Sequence, residues 1–111
     1  MTTIAAIVPT HNGRAFIARA LDSALAQSAP ADEVVVVDDA STDGTADLVA
    51  ERYPGIRLVR LPGNVGSGAA RNAGVAASTG DLIAFLDHDD AWQPGYLAVQ
   101  SRLFAAAPKA V

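Results

Sequence analysis

From Phe85 to Asp90 the chain reads FLDHDD, so an apolar run ends abruptly in Asp87, His88, Asp89 and Asp90. Carboxylates this close repel one another, and the cluster calls for a positive charge among them. If the chain stays extended past Leu86, Asp87 and Asp89 face one side and His88 the other. Two hard, anionic oxygen donors on one side suit Mg2+ or Mn2+, with water and phosphate oxygens completing the shell. The opposite direction of His88 argues against it as a ligand. The alternative is a solvated acidic loop capping the helix that follows Pro94, and Asp90 fits a turn or cap better than a ligand.

Other residues carry the same kind of ambiguity. Of Asp38 and Asp39, one can cap the helix after STDGT, leaving the other to accept hydrogen bonds from a ligand. Arg71 is a lone cation in GSGAARNAG. A guanidinium facing a cleft wants a carboxylate or phosphate; otherwise Arg71 is an ordinary surface arginine. The glycines beside it can cradle a phosphate or let a helix approach a sheet closely. Neither histidine has the Ser, Cys or second His that a nucleophilic or zinc site requires. Trp92 and Tyr96 are expected to pack the last helix rather than stack on a substrate.

The elements that must position these groups alternate. Apolar and β-branched runs predict strands over 4–8, 34–37, 56–61 and 82–86, the first stopped by Pro9. Helical spacing and breakers predict helices over 15–27, 46–53, 66–77 and 94–106. Arg57 and Arg60 mark the third strand as an exposed or edge strand. This βαβαβαβα order implies a Rossmann-like, three-layer α/β sandwich with a mainly parallel sheet and right-handed crossovers. Ligands bind such sheets beyond the carboxyl ends of the strands. There the topology gathers Pro9-Thr10-His11-Asn12, Asp38-Asp39 and Asp87 to Asp90, three polar clusters far apart in sequence.

Bulk composition narrows the classes further. The 111 residues suit one domain, and half are hydrophobic, with only 5% aromatic, so the core must be Ala, Val, Leu and Ile. A net charge of -4 without a basic cluster argues against nucleic acid as a partner. The absence of cysteine excludes a disulfide framework and thiolate metal sites. The N-terminus lacks a basic region ahead of a long apolar run, and no stretch approaches the roughly 18 apolar residues of a membrane span. A cytoplasmic location fits, with membrane association through parts of a longer protein as the variant. A receiver-type signalling domain also clusters acids at strand ends, but it needs a Lys at strand five, and the sole lysine is Lys109.

IVPTHNG, EVVVVDDASTDGT, NVGSGAARNAGVAASTGDLIAFLDHDD and WQPGYL occur in that order. With them the chain resembles, over nearly its whole length, the N-terminal, nucleotide-binding half of the family 2 inverting glycosyltransferases with the GT-A fold. The resemblance implies transfer of a sugar from a nucleotide-diphosphate sugar, most typically UDP-linked, to a saccharide or lipid acceptor. By the same resemblance Pro9, Thr10 and His11 lie against the nucleotide, where many relatives have Tyr in place of His11. Asp39 binds the base edge, Arg71 shapes the pocket, Asp87 approaches the ribose and Asp89 binds Mg2+ or Mn2+. Asp87-His88-Asp89 matches the DXD motif, although its middle position is commonly small. The acceptor's general base comes from the second half of the family's domain, and no Asp or Glu follows Asp90 here. Residues 1–111 are therefore expected to be the donor-binding part of an incomplete domain, inactive alone; a non-catalytic nucleotide-sugar binding module is the alternative. An open sheet edge adds an expectation of self-association.

Overall fold

Val34 to Val37 are stiff at χ1 and apolar on both faces, which suits a strand covered from two sides. In the computed structural model, which describes residues 3–106, they form the centre of β2 (Glu33–Asp38). The chain runs β1 (Ile4–Thr10), α1 (Ile17–Leu25), β2, α2 (Thr45–Arg52), β3 (Arg57–Arg60), α3 (Ser67–Ala77), β4 (Leu82–Phe85) and α4 (Tyr96–Ala106). The strands form one sheet in the order β3-β2-β1-β4, and every pairing is parallel.

Alternation along the central strands builds two cores. Ala5, Ile7, Val35 and Val37 face α3 through Ala70. Val8 and Val36 face α1 and α2 through Ile17, Leu21, Val49 and Tyr53. The approach of α3 is close enough to demand glycine: a Cβ at Gly74 would lie 2.4 Å from the Ile7 Cγ2. α4 hangs on buried Gln27, whose amide nitrogen donates to the Gln93 carbonyl (2.7 Å) while its oxygen accepts the Leu97 N–H (2.9 Å). Trp92 and Tyr96 stack on each other at 4.9 Å, and Trp92 packs against the α1/α2 core. Among the described residues no helix is long and apolar enough to cross a membrane.

Two sequence expectations need correction. Pro9 does not stop the first strand, because β1 runs on to Thr10. Ile7 presents its carbonyl to the β4 side, to the Leu86 N–H, so Pro9, two residues on, turns its nitrogen the same way. The next rung of the β1–β4 ladder would take an N–H from position 9 to the Leu86 carbonyl, so Pro9 ends that pairing at Ile7–Phe85, while β1 continues against β2 to Thr10–Asp38. Nor does the chain stay extended past Leu86. The Asp90 N–H donates to the Asp87 carbonyl (3.0 Å), closing a turn over 87–90.

Candidate functional site

Where β4 stops pairing and β1 continues, a cleft of about 320 Å³ opens at the carboxyl edge of the sheet. It is lined by Pro9, Thr10 and His11 from the end of β1, Asp39 from the end of β2, Ser67, Ala70 and Arg71 from α3, and Asp87, His88 and Asp89 from the turn after β4. The seven residues singled out in the sequence as nucleotide or metal contacts are all in its wall.

Each cluster is held by identifiable bonds. Asp39 is almost fully buried, and its two carboxylate oxygens accept the Val65 and Gly66 N–H groups at 2.7 and 2.9 Å. It thus closes the loop into α3 and places an anion at that helix's N-terminus. A carboxylate has about four acceptor positions, so each oxygen keeps one lone pair. Asp38 does not cap α2 either; its Oδ2 accepts the Ser41 N–H (3.2 Å), and its Oδ1 has no partner. Asp43 supplies the cap, accepting the N–H groups of Thr45 (3.0 Å) and Arg14 (3.1 Å) and the Thr45 hydroxyl. That hydroxyl above all holds the Asp43 carboxyl below its ordinary range.

His11 is oriented by its neighbours. The Thr42 N–H donates to Asn12 Oδ1 (2.8 Å), turning the Asn12 amide nitrogen toward His11 Nε2 at 3.3 Å. Nε2 is therefore the acceptor, and the proton sits on Nδ1, which donates to the Asp39 carbonyl at 2.7 Å. The Asn64 amide nitrogen lies 3.1 Å from the same Nδ1 and 3.4 Å from the Asp39 carbonyl; the carbonyl can only accept, so both nitrogens donate to it. Asn12 (φ 51°) and Ala40 (φ 57°) are left-handed at the two strand ends. Ala40 carries a cost of about 1 kcal/mol there, strain of the kind found beside functional sites.

On the other wall, Arg71 donates to the Asp87 carboxylate at 3.1 Å and lies over the Phe85 ring at 6.0 Å. The exposed carboxylates of Asp87, Asp89 and Asp90 offer oxygens within 4.8 Å of one another. Among the described residues, Arg71 is the sole cation in ion-pair contact with this group. The donors are hard oxygens, the charge is under-compensated and Asp90 joins the set through the turn, so the residues fit Mg2+ or Mn2+. The Thr10 hydroxyl is buried beside His88 without a partner, an unsatisfied group of the kind a ligand or water completes.

Sequence reasoning missed Ser67 and Ala70 as wall residues, Asn12 and Asn64 as props for His11, and Asp90 as a member of the carboxylate group. No local pattern marks Asn64, whose bond spans 25 residues.

The family model described as Glycosyl transferase family 2 matches residues 5–111. The chain belongs to glycosyl transferase family 2. It is 49% identical over 92 residues to the succinoglycan biosynthesis protein ExoO of Rhizobium meliloti, covering 82% of this chain and 26% of that protein. It is 39% identical over 101 residues to the putative teichuronic acid biosynthesis glycosyltransferase TuaG of Bacillus subtilis, covering 87% of this chain and 40% of that one. The chain thus spans roughly a quarter to two fifths of these relatives. Among solved structures, residues 1–349 of S. aureus TarS with UDP superpose with a TM-score of 0.84 at 30% identity, covering 94% of this chain and 32% of that one. The Pyrobaculum calidifontis mannosyltransferase PcManGT, solved with GDP-Man and Mn2+, gives 0.82 at 35% identity over 94% of this chain and 32% of that one. The fold of this family 2 chain is therefore that of GT-A glycosyltransferases.

Proposed function

We propose that this family 2 chain forms the donor site of a metal-assisted, inverting glycosyltransferase that takes a UDP-linked sugar and passes the sugar to an acceptor hydroxyl on a saccharide or lipid. The observation that carries this reading is the meeting, in one cleft, of open hydrogen-bonding groups at the ends of β1 and β2 and a carboxylate group after β4. His11, Asp39 and Thr10 supply the first, and Asp87 and Asp89 the second. Neighbours solved with UDP and with GDP-Man and Mn2+ supply the ligand class.

In this reading the remaining lone pairs of Asp39 accept from the base edge, and the His11 ring, fixed in one tautomer, walls the cleft. Arg71 orients Asp87 toward the ribose. Asp89, with Asp87 and Asp90 beside it, holds Mg2+ or Mn2+. When bound, that cation supplies charge neutralisation for the departing diphosphate. Inversion needs a general base on the acceptor side, and we place it outside the described residues. Residues 1–111 then make up the donor-binding part of a larger domain.

The test is calorimetric titration with UDP, in Mn2+ and in EDTA. UDP binding that strengthens with Mn2+ is expected; no UDP binding in either condition would sink the reading.

A further inference from the structure

His88 occupies the motif position that is commonly small, and it is half-buried between two exposed aspartates. Its ring lies parallel to that of Phe16, with centroids 6.4 Å apart and planes 7° from parallel. Beneath it is Gly13, which is buried. A Cβ at position 13 would lie 2.8 Å from the His88 Cγ, 3.0 Å from its Nδ1 and 2.5 Å from the Thr10 Oγ1. Gly13 is not among the left-handed glycines, so this position requires space for the ring, not an unusual backbone.

The two sides of this contact differ in rigidity. Gly13 and Phe16 belong to the turn that opens α1, since the Gly13 carbonyl accepts the N–H groups of Phe16 (2.9 Å) and Ile17 (2.8 Å). The acidic turn has a single internal backbone bond, from Asp90 to Asp87, and three mutually repelling carboxylates that favour opening it.

We propose that His88 is a positioning residue. Its ring, seated on Gly13 and stacked with Phe16, clips the acidic turn to the rigid start of α1, and so holds Asp87 and Asp89 at the separation the cleft uses. The inference rests on the donor-site reading for its consequence, though not for the contact itself.

The test compares the chain with its His88→Ala and His88→Phe variants in two measurements. One is UDP titration with Mn2+ and with EDTA; the other is amide exchange at Asp90 without ligand. His88→Ala should lower the Mn2+-dependent gain in UDP affinity, and speed exchange at Asp90, each by about tenfold, the scale of one aromatic contact. His88→Phe keeps the ring and should restore both readouts. An unchanged Mn2+ gain in His88→Ala, or a His88→Phe variant as impaired as His88→Ala, overturns the assignment. If the parent chain binds no UDP, the donor-site reading fails by itself and amide exchange decides the clip. Faster exchange in His88→Ala, restored by Phe, upholds it, and equal rates reject it.

Discussion

Asp89 is exposed and has no cationic partner among the described residues, so it contributes little to the fold and much to any cation site. Asp89→Asn should cost about tenfold or more of the UDP affinity measured in Mn2+ and leave the urea midpoint unchanged. Equal affinity would move the ligand role to Asp87 and Asp90. Asp39 is the reverse case, because both oxygens already hold backbone N–H groups of the loop into α3. Asn offers one oxygen where the carboxylate offered two, so Asp39→Asn should strand one N–H, at about 1–3 kcal/mol. It should also weaken UDP binding equally with and without Mn2+; stability loss alone would leave Asp39 a purely structural residue. The residue types that carry this site were legible in the sequence, since acids and a histidine at strand ends, with a lone arginine on the helix before the last strand, imply a polar rim. Their partners were not. The bonds from Asp39 to Val65 and Gly66 cross 26 and 27 positions, and only the folded chain brings those groups together.

At the level of elements, periodicity and breakers foretold all eight segments, but their limits depended on neighbours. Pro9 reads as a stop in isolation, yet it ends only the pairing with β4, because its nitrogen faces that side and β1 runs on against β2 to Thr10. The extension assumed past Leu86 gave way to a turn for the same reason: beyond the Leu86 N–H no further bond to β1 holds the chain straight. Packing between elements gives two tests. Gly74→Ala drives a methyl into Ile7 and Val37 and should destabilise by about 1–3 kcal/mol, read from urea unfolding; a neutral result would mean α3 can lift from the sheet at no cost. Buried Tyr53 joins α2 to α1 by donating to Asp22 Oδ1 at 2.7 Å. Burial first, then Asp22, raises its phenol from the ordinary 10.0 to about 12. The folded state therefore favours the protonated phenol. That contribution is intact below pH 10 and is lost as pH rises toward 12, at up to about 1.4 kcal/mol per pH unit. Tyr53→Phe should be less stable at pH 8, and its stability should fall less steeply above pH 10; parallel pH profiles would remove Tyr53 as the cause.

For the whole molecule the two sheet edges are unequal. β3 presents exposed Arg57 and Arg60, charges that discourage pairing with another chain. β4 carries no charge over Leu82–Phe85, and Phe85 is 44% exposed. The Leu82 and Leu86 N–H groups bond to β1, so by alternation those of Ile83 and Phe85 point away from the sheet. An apolar strand with outward donors is a template for a further strand, whether from its own polypeptide or from a second copy. In solutions of the 111-residue chain the second copy is the strand on hand, and sedimentation velocity should show a dimer whose share grows with concentration. Phe85→Pro deletes one outward donor without touching a bond to β1, an arrangement edge strands tolerate. It should return the chain to monomer with an unchanged circular dichroism spectrum. A parent that stays monomeric at high concentration would mean that the short strand and the Arg71 guanidinium over Phe85 already blunt this edge. A dimer that survives Phe85→Pro would place the contact elsewhere, with exposed Val99 and Leu103 of α4 the next surface to test.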